Sequence, residues 1–515
     1  MKKLRTLLSC LIGVVLLCLA SLPALAQARR NIALARVTYN TRKAIMKPQG
    51  ELKDKIDAID RELAEMSRLG RTGEVRHLLA KGITLLSGKE WDSTQEFSNS
   101  LVLRAEAVWV DSSKPYSTRV EQIYQPKIEL SSSLTAIASL YKMERRGPTT
   151  AIGDKVKDFS ALEGVGRDFL DDPLRIEIDL SGIEDGSYVI KVELRQKDTL
   201  LGDPTLSMGL ERGLDQRLAR IESDLKEVRG FEELRADVLY PLDYIRNTNR
   251  GRIEMASFDL EKELSRSEDI LRSLKSGKNP YAGRTGDMER HYLLEGAGEI
   301  MPYRVYVPTG YDDKQPFPLI IALHGLGARQ DSFFDFYGKE FPRLAEQRGY
   351  IVAAPLGYRV DGGYGFSLFR SSEDLAQIRK AEYSEKDVLR VLDLMKQNYK
   401  IDEKRIYLTG HSMGAIGTWF LAAKYPDIWA AIAPFAGYGN PSTVEKMKSI
   451  PAIVVHGDAD PTVAVGGSRA MVEALKKFGA DYRYIEVPGG DHINVVQPNF
   501  GAVFDFFDKH RKSAP

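Results

Sequence analysis

Ser412 lies in Gly410-His411-Ser412-Met413-Gly414, a G-x-S-x-G pentapeptide. The apolar run Arg405 to Thr409 precedes it and the apolar stretch Ala415 to Ala423 follows. A serine on such a strand-to-helix turn has a strained backbone and presents its Oγ above the sheet edge. The turn is tight enough to demand glycine two positions before and after. A hydroxyl is a weak nucleophile at neutral pH and needs a base within hydrogen-bond reach, itself oriented by a third group. On this kind of turn the acid and then the base follow in chain order. Downstream histidines are His456, His492 and His510. Ala452 to Val455 reads as a strand running into His456-Gly457-Asp458-Ala459-Asp460-Pro461. A carboxylate just past a strand end suits the acid, so Asp460 is expected, with Asp458 as the alternative. Tyr482 to Val487 leads into Pro488-Gly489-Gly490-Asp491-His492, a glycine-containing loop able to bring His492 over the serine. His456 precedes the acid and is disfavoured by the order; His510 falls in an expected C-terminal helix, as a surface residue.

The alkoxide of a tetrahedral intermediate needs donors already in place. The backbone N–H of Met413 is one. The other is expected from His324-Gly325-Leu326-Gly327, after the strand Pro318 to Leu323, with the N–H of Leu326 as donor and His324 as a structural residue. The aromatic, glycine-containing segment 357–381 (Tyr358, Tyr364, Phe366, Phe369) lies past another strand end and is a candidate cleft lining. Phe435, Tyr438 and Ile493 would add an apolar wall. Tyr364, Phe435 and Ile493 are the expected substrate contacts.

From about Met288 onward the chain resembles the serine esterases that include polyhydroxybutyrate depolymerase-like, feruloyl and acetylxylan esterases, and shares much with prolyl-oligopeptidase-type hydrolases. The resemblance rests on "LHGLG", "SEKDVLRVLDLM", "IDEKRIYLTGHSMGAIGTWFLAAKYPDIWAAIAPFAG", "VVHGDADPTV" and "GGDH", dispersed but in order. It covers less than half the chain. It implies an α/β-hydrolase fold and Ser412, Asp460 and His492 as a triad. Ala415 departs from the pattern, since these esterases often carry a further glycine there; its methyl is expected to be tolerated and to narrow the pocket.

The elements that must position these residues read as follows. Pro302 to Val307, Phe317 to Leu323, Tyr350 to Ala354, Arg405 to Thr409, Ala430 to Pro434, Ala452 to Val455 and Tyr482 to Val487 are strand-like, with helical stretches between most of them. Alternation of this kind implies right-handed crossovers and a mostly parallel, doubly wound sheet. Ser384 looks like the N-cap of a helix whose buried stripe is Val388, Val391, Leu392, Met395 and Tyr399. Upstream, Leu52, Ile56, Ile59, Leu63 and Met66 form one helical stripe, and a second helix follows near Val75 to Leu86. Period-two runs at Leu101 to Trp109, Leu174 to Leu180 and Tyr188 to Leu194 predict a small β-sandwich-like domain. Helical spacing returns from Leu214 to about Leu274. The expected organisation is a signal peptide at 1–26, a helical segment at 27–95, a β-rich domain at 96–205, a helical segment at 206–276, a Gly/Pro-rich linker at 277–287 and the catalytic domain at 288–515.

The signal reading rests on Lys2, Lys3 and Arg5, the apolar run Leu7 to Ala20, and Ala24-Leu25-Ala26 as a cleavage site. Cys10 and Cys18, the only cysteines, fall inside it, so a processed chain has no thiol chemistry and no disulfide. An exported protein, periplasmic or secreted, is expected, with no stable membrane span after cleavage. The 515-residue chain carries a net charge of +1, which points to no nucleic-acid partner. The chemistry described calls for no metal or organic cofactor. The expected activity is carboxylic ester hydrolysis through an acyl-enzyme, on a small-molecule or polysaccharide-linked ester. A peptidase using the same groups is the alternative. A reading of another class is a glycan- or envelope-binding protein that uses the β-rich domain and carries a silent hydrolase.

Overall fold

The computed structural model describes residues 32–512 apart from 127–133, 147–148, 167, 254, 256–257 and 367–374. The signal-peptide reading and Phe369 lie outside the described residues. The chain divides into two compact units: Met1–Glu227 with Pro241–Glu268, and Val228–Tyr240 with Asp269–Pro515. The division runs through the upstream helical region instead of falling at 277–287. Its cause is local. Asp237, fully buried, accepts from Arg290 Nε at 3.1 Å and from the backbone N–H of His291 at 2.8 Å, so Val228–Tyr240 is tied into the second unit. The second boundary falls at Pro241, inside the helix Arg235–Asn249.

In the first unit the helices Ile32–Met46, Gly50–Arg68 and Thr72–Leu86 bury Ile56, Ile59, Leu63, Leu78 and Leu79 against one another. Among the described residues ten strands follow: β1 (Leu101–Ala105), β2 (Trp109–Asp111), β3 (Tyr116–Gln122), β4 (Leu134–Arg146), β5 (Thr149–Asp158), β6 (Leu162–Val165), β7 (Leu174–Ile178), β8 (Gly186–Gln196), β9 (Thr199–Gly202) and β10 (Thr205–Glu211). β1, β3 and β7 form one sheet. β2-β10-β8-β4-β5 form another, with β6 on β4 and β9 on β8. Leu103, Val120 and Ile176 of the first sheet share a core with Leu140, Ile190, Val192 and Met208 of the second. The alternating run Leu101 to Trp109 is therefore not one strand; it is divided between the two sheets.

The second unit is built on eight strands: β11 (Gly286–Leu294), β12 (Glu299–Val307), β13 (Phe317–Leu323), β14 (Ile351–Pro355), β15 (Ile401–His411), β16 (Ala431–Phe435), β17 (Ala452–Gly457) and β18 (Tyr482–Val487). Their order is β11-β12-β14-β13-β15-β16-β17-β18. β11, β12 and β14 pair antiparallel, and β14 through β18 run parallel. This is the α/β-hydrolase arrangement. β13, β14, β16 and β17 are buried along their whole length and β15 from Ile406 onward, as expected of parallel strands covered on both faces. Phe333, Phe341, Phe500 and Phe504 join Tyr350, Tyr407, Val455 and Ile453 in one apolar core.

The helix expected to start at Ser384 runs from Leu375 to Asn398. Ser384 lies inside it, fully buried, and its Oγ accepts from the N–H of Tyr364 at 2.9 Å. The hydroxyl serves a tertiary contact, not a cap. Val388, Val391, Leu392 and Met395 form the buried stripe as expected, while Tyr399, expected to complete it, lies just past the helix end and is half-buried.

Candidate active site

The turn that carries Ser412 is dictated by its glycines. Ser412 connects β15 to the helix Met413–Lys424 with φ 56° and ψ −115°, a left-handed φ that a non-glycine residue rarely holds. A Cβ on Gly410 would stand 2.3 Å from the carbonyl oxygen of Gly414, and one on Gly414 would stand 2.1 Å from that of Leu323. The strain is held in place by the N–H of Ser412, which donates to the carbonyl of Phe435 at 2.9 Å. Ser412 itself keeps partial solvent access.

Three side chains distant in sequence converge here. His492 Nε2 is 2.9 Å from Ser412 Oγ, and His492 Nδ1 is 2.6 Å from Asp460 Oδ2. A carboxylate only accepts, so Nδ1 carries the proton and Nε2 turns its lone pair to the hydroxyl. Asp460 Oδ1 accepts the N–H groups of Thr462 at 2.8 Å and Val463 at 2.9 Å. His456 Nε2 lies 3.1 Å from Oδ2. Burial alone would raise the carboxyl's pKa. The bonds from His456, His492 and Val463 outweigh it and hold the group well below the usual carboxylate range. Asp458 is exposed, and its Oδ1 accepts the N–H of Gly489 at 2.6 Å, a turn contact away from the imidazole. His510 packs at the end of the helix Phe500–Lys509, 2.9 Å from Asp481, and takes no part in the convergence.

His411 is a residue the sequence reasoning did not single out. Fully enclosed beside the serine, it donates from Nε2 to the carbonyl of His492 at 2.8 Å and accepts at Nδ1 from the Tyr337 hydroxyl at 3.1 Å. Burial, then the adjacent His492, push its pKa down to about 3, so the ring stays neutral and this donor pattern is fixed. His411 thus fastens the backbone of the loop that carries His492. The only sequence signal was its place as the variable residue before the serine, which carries no information about that contact.

The loop His324–Gly327 also reaches the serine. A Cβ on Gly325 would meet Ser412 Cβ at 3.4 Å. Gly327, at φ 80°, donates from its N–H to the carbonyl of Val360 at 2.8 Å, and the Tyr364 hydroxyl donates to the carbonyl of His324 at 3.3 Å. The segment after β14 therefore braces the loop that carries Leu326. Met413 is the first residue of its helix, so its N–H has no partner four residues back in that helix.

The expected aromatic lining needs correction. Tyr364 is fully buried and packs against Gly417 and Gly357, and Phe435 is fully buried against Phe500. Both rings belong to the core and offer no surface to a substrate. Tyr358, Phe366 and Ile493 are half-buried and Tyr438 is exposed, so these remain available. The Ala415 methyl is also fully buried, in the space left because Gly437 has no side chain: a Cβ there would stand 2.5 Å from it. Among the described residues no group of three or more His, Cys, Asp or Glu is placed to hold a metal ion.

Residues 295–488 match the family described as "Putative esterase". The chain is 30% identical over 166 residues to a bifunctional acetylxylan esterase/xylanase of Neocallimastix patriciarum, covering 32% of this chain and 22% of that protein. It is 27% identical over 143 residues to feruloyl esterase B of Talaromyces funiculosus, covering 28% and 38%. It is 31% identical over 132 residues to poly(3-hydroxyalkanoate) depolymerase C of Paucimonas lemoignei, covering 26% and 30%. The chain thus spans well under half the length of each of these relatives. Together these likenesses support a serine esterase in the C-terminal part of the chain.

Proposed function

We propose that this chain, whose C-terminal part resembles serine esterases, hydrolyses carboxylic esters through an acyl-enzyme on Ser412. The observation that carries this reading is the unbroken line from Ser412 Oγ to His492 Nε2 and from His492 Nδ1 to Asp460 Oδ2. His492 takes the proton of Ser412 as Oγ attacks the ester carbonyl, and the resulting imidazolium faces a carboxylate that stays ionised. The N–H groups of Met413 and Leu326 receive the oxyanion. His492 then gives its proton to the leaving alkoxide, and the acyl group remains on Oγ. Water, deprotonated by the same imidazole, attacks the acyl carbon; the acid leaves and Ser412 regains its proton.

Tyr358, Phe366, Tyr438 and Ile493 are the expected lining side chains that keep exposed surface to contact the substrate. The named activities of the relatives, on acetylxylan, feruloyl esters and poly(3-hydroxyalkanoate), suggest a polysaccharide-linked ester or a polyester as substrate. Residues 1–26 direct the chain out of the cytoplasm in this reading; among the described residues no helix is long and apolar enough to cross a membrane. The test is turnover of a p-nitrophenyl acyl series beside a set of short peptides, by the protein and by Ser412→Ala. Ester turnover lost in the variant is expected. Peptide turnover without ester turnover would favour the peptidase, and ester turnover surviving Ser412→Ala would remove the mechanism.

A further inference from the structure

A second imidazole touches the carboxylate. His456, at the end of β17 and fully buried, places Nε2 3.1 Å from Asp460 Oδ2 and 2.9 Å from the carbonyl oxygen of Val463. Both are acceptors, so Nε2 carries a proton and is shared between them. On the other side, Nδ1 lies 2.7 Å from Ser468 Oγ, and that oxygen lies 2.7 Å from the carbonyl of Gly437. Gly437 flanks the nucleophile: a Cβ on it would stand 3.1 Å from the Ser412 carbonyl oxygen. The ring thus links the loop holding the acid to the loop beside the serine.

We infer that His456 is a positioning residue, acting through Asp460 to set the plane of the carboxylate that orients His492. This rests on the triad reading above. The torsion that turns a carboxylate about its Cβ–Cγ bond is broad and confines the group poorly by itself. Four donors confine it here: Thr462 and Val463 on Oδ1, His456 and His492 on Oδ2. His492 must pivot as it moves a proton between serine and leaving group, so it cannot also be the fixed anchor of Oδ2. His456 is that anchor. Its described hydrogen bonds go to the carboxylate, the Val463 carbonyl and Ser468, none of which is a reacting atom, so its effect belongs in kcat.

Two amides separate the contacts. In His456→Asn the side-chain nitrogen can replace Nδ1 and keep the Ser468 link, but it does not reach Asp460. In His456→Gln the nitrogen can replace Nε2. The expected result is a kcat lower by between about tenfold and a hundredfold in Asn, the cost typical of a small misplacement of a catalytic group, with KM within about threefold. Gln should restore most of the loss. In an Asp460→Ala background His456→Asn should cost less than about threefold more, because the group it acts through is gone. The inference is overturned if Asn and Gln behave alike, if KM moves with kcat, or if the Asn loss is undiminished in Asp460→Ala. Nitrogen-15 spectra of histidines in the unmodified protein give a check that depends on no variant: Nε2 of His456 should carry a proton, and an unprotonated Nε2 overturns the inference. If Asp460→Ala itself turns over ester at the unmodified rate, the triad reading fails; if that variant is inactive while His456→Asn is fully active, only the role of His456 fails.

Discussion

Replacing Asp460 by asparagine asks the most of this geometry, because the surrounding loop decides how an amide must sit. Oδ1 accepts two backbone N–H groups, from Thr462 at 2.8 Å and Val463 at 2.9 Å, so the amide oxygen belongs there. The NH2 then takes the place of Oδ2, 2.6 Å from His492 Nδ1. Since NH2 can only donate, both imidazoles on that side must turn a lone pair to it: His492 moves its proton from Nδ1 to Nε2, facing Ser412 Oγ, and His456 moves its proton from Nε2 to Nδ1, facing Ser468 Oγ. That His492 tautomer cannot accept the serine proton, and trapping it in a triad costs about 10⁴ in kcat, or about 5 kcal/mol. The escape is to flip the amide. That restores the productive tautomer but leaves two buried backbone donors facing NH2, at about 1–3 kcal/mol each, or about 2–6 kcal/mol together. Even the cheapest flip lowers the rate about 30-fold. The expected loss in kcat for Asp460→Asn is therefore between about 30-fold and about 10⁴-fold, with KM little changed. Release of p-nitrophenolate from p-nitrophenyl acetate, beside a circular dichroism check of the fold, measures it. A folded variant within tenfold of the unmodified protein would refute the assignment of the acid.

Asp458→Asn, by contrast, alters an exposed turn contact to Gly489 and should leave the same assay within about threefold. Gly414→Ala places a methyl 2.1 Å from the Leu323 carbonyl oxygen and should abolish ester turnover while lowering the thermal midpoint. Asp387 gives a pH signature. It is fully buried, accepts from the Tyr292 hydroxyl at 2.7 Å and the Tyr358 N–H at 2.8 Å, and burial pushes it up to about 6 from an ordinary value of 3.8. A carboxyl raised on folding holds its proton in the folded state after the unfolded chain has lost it. Stability is therefore greatest below pH 4 on this account and declines as pH rises through 6. The shift of about two units is worth about 3 kcal/mol. The unmodified protein should lose about that much more than Asp387→Asn between pH 4 and pH 7 in thermal or denaturant unfolding; parallel pH profiles for the two would contradict it.

The strand-to-helix turn at Ser412 was legible from its glycines, and five described strands of the second sheet, β13 to β17, because parallel strands buried for most of their length read as apolar runs; β18 was legible although it is only half-buried and carries Arg483 and Glu486. β11 was not, since Asp287, Glu289 and Arg290 break its pattern, and β12 only in part, its first residues Glu299 to Met301 lying outside the run seen from Pro302. Tyr364 and Phe435 show a related limit. Aromatic residues past strand ends are candidates for a cleft, yet whether a ring turns outward or into the core depends on which glycine faces it, here Gly417 for Tyr364. His411 was not singled out and His456 was set aside, because chain order proposes a base but says nothing about which other imidazoles meet the loop or the carboxylate. In the first unit the broken run from Leu101 to Trp109 shows that alternation marks a strand but not the sheet it joins.

The measurement closest to the central claim is covalent labelling with a fluorophosphonate followed by tryptic mapping. A hydroxyl made nucleophilic by His492 should carry the label within the peptide from Ile406 to Lys424, which holds Ser412, and Ser412→Ala should take up none. Label on another peptide, or equal labelling of the variant, would contradict the account.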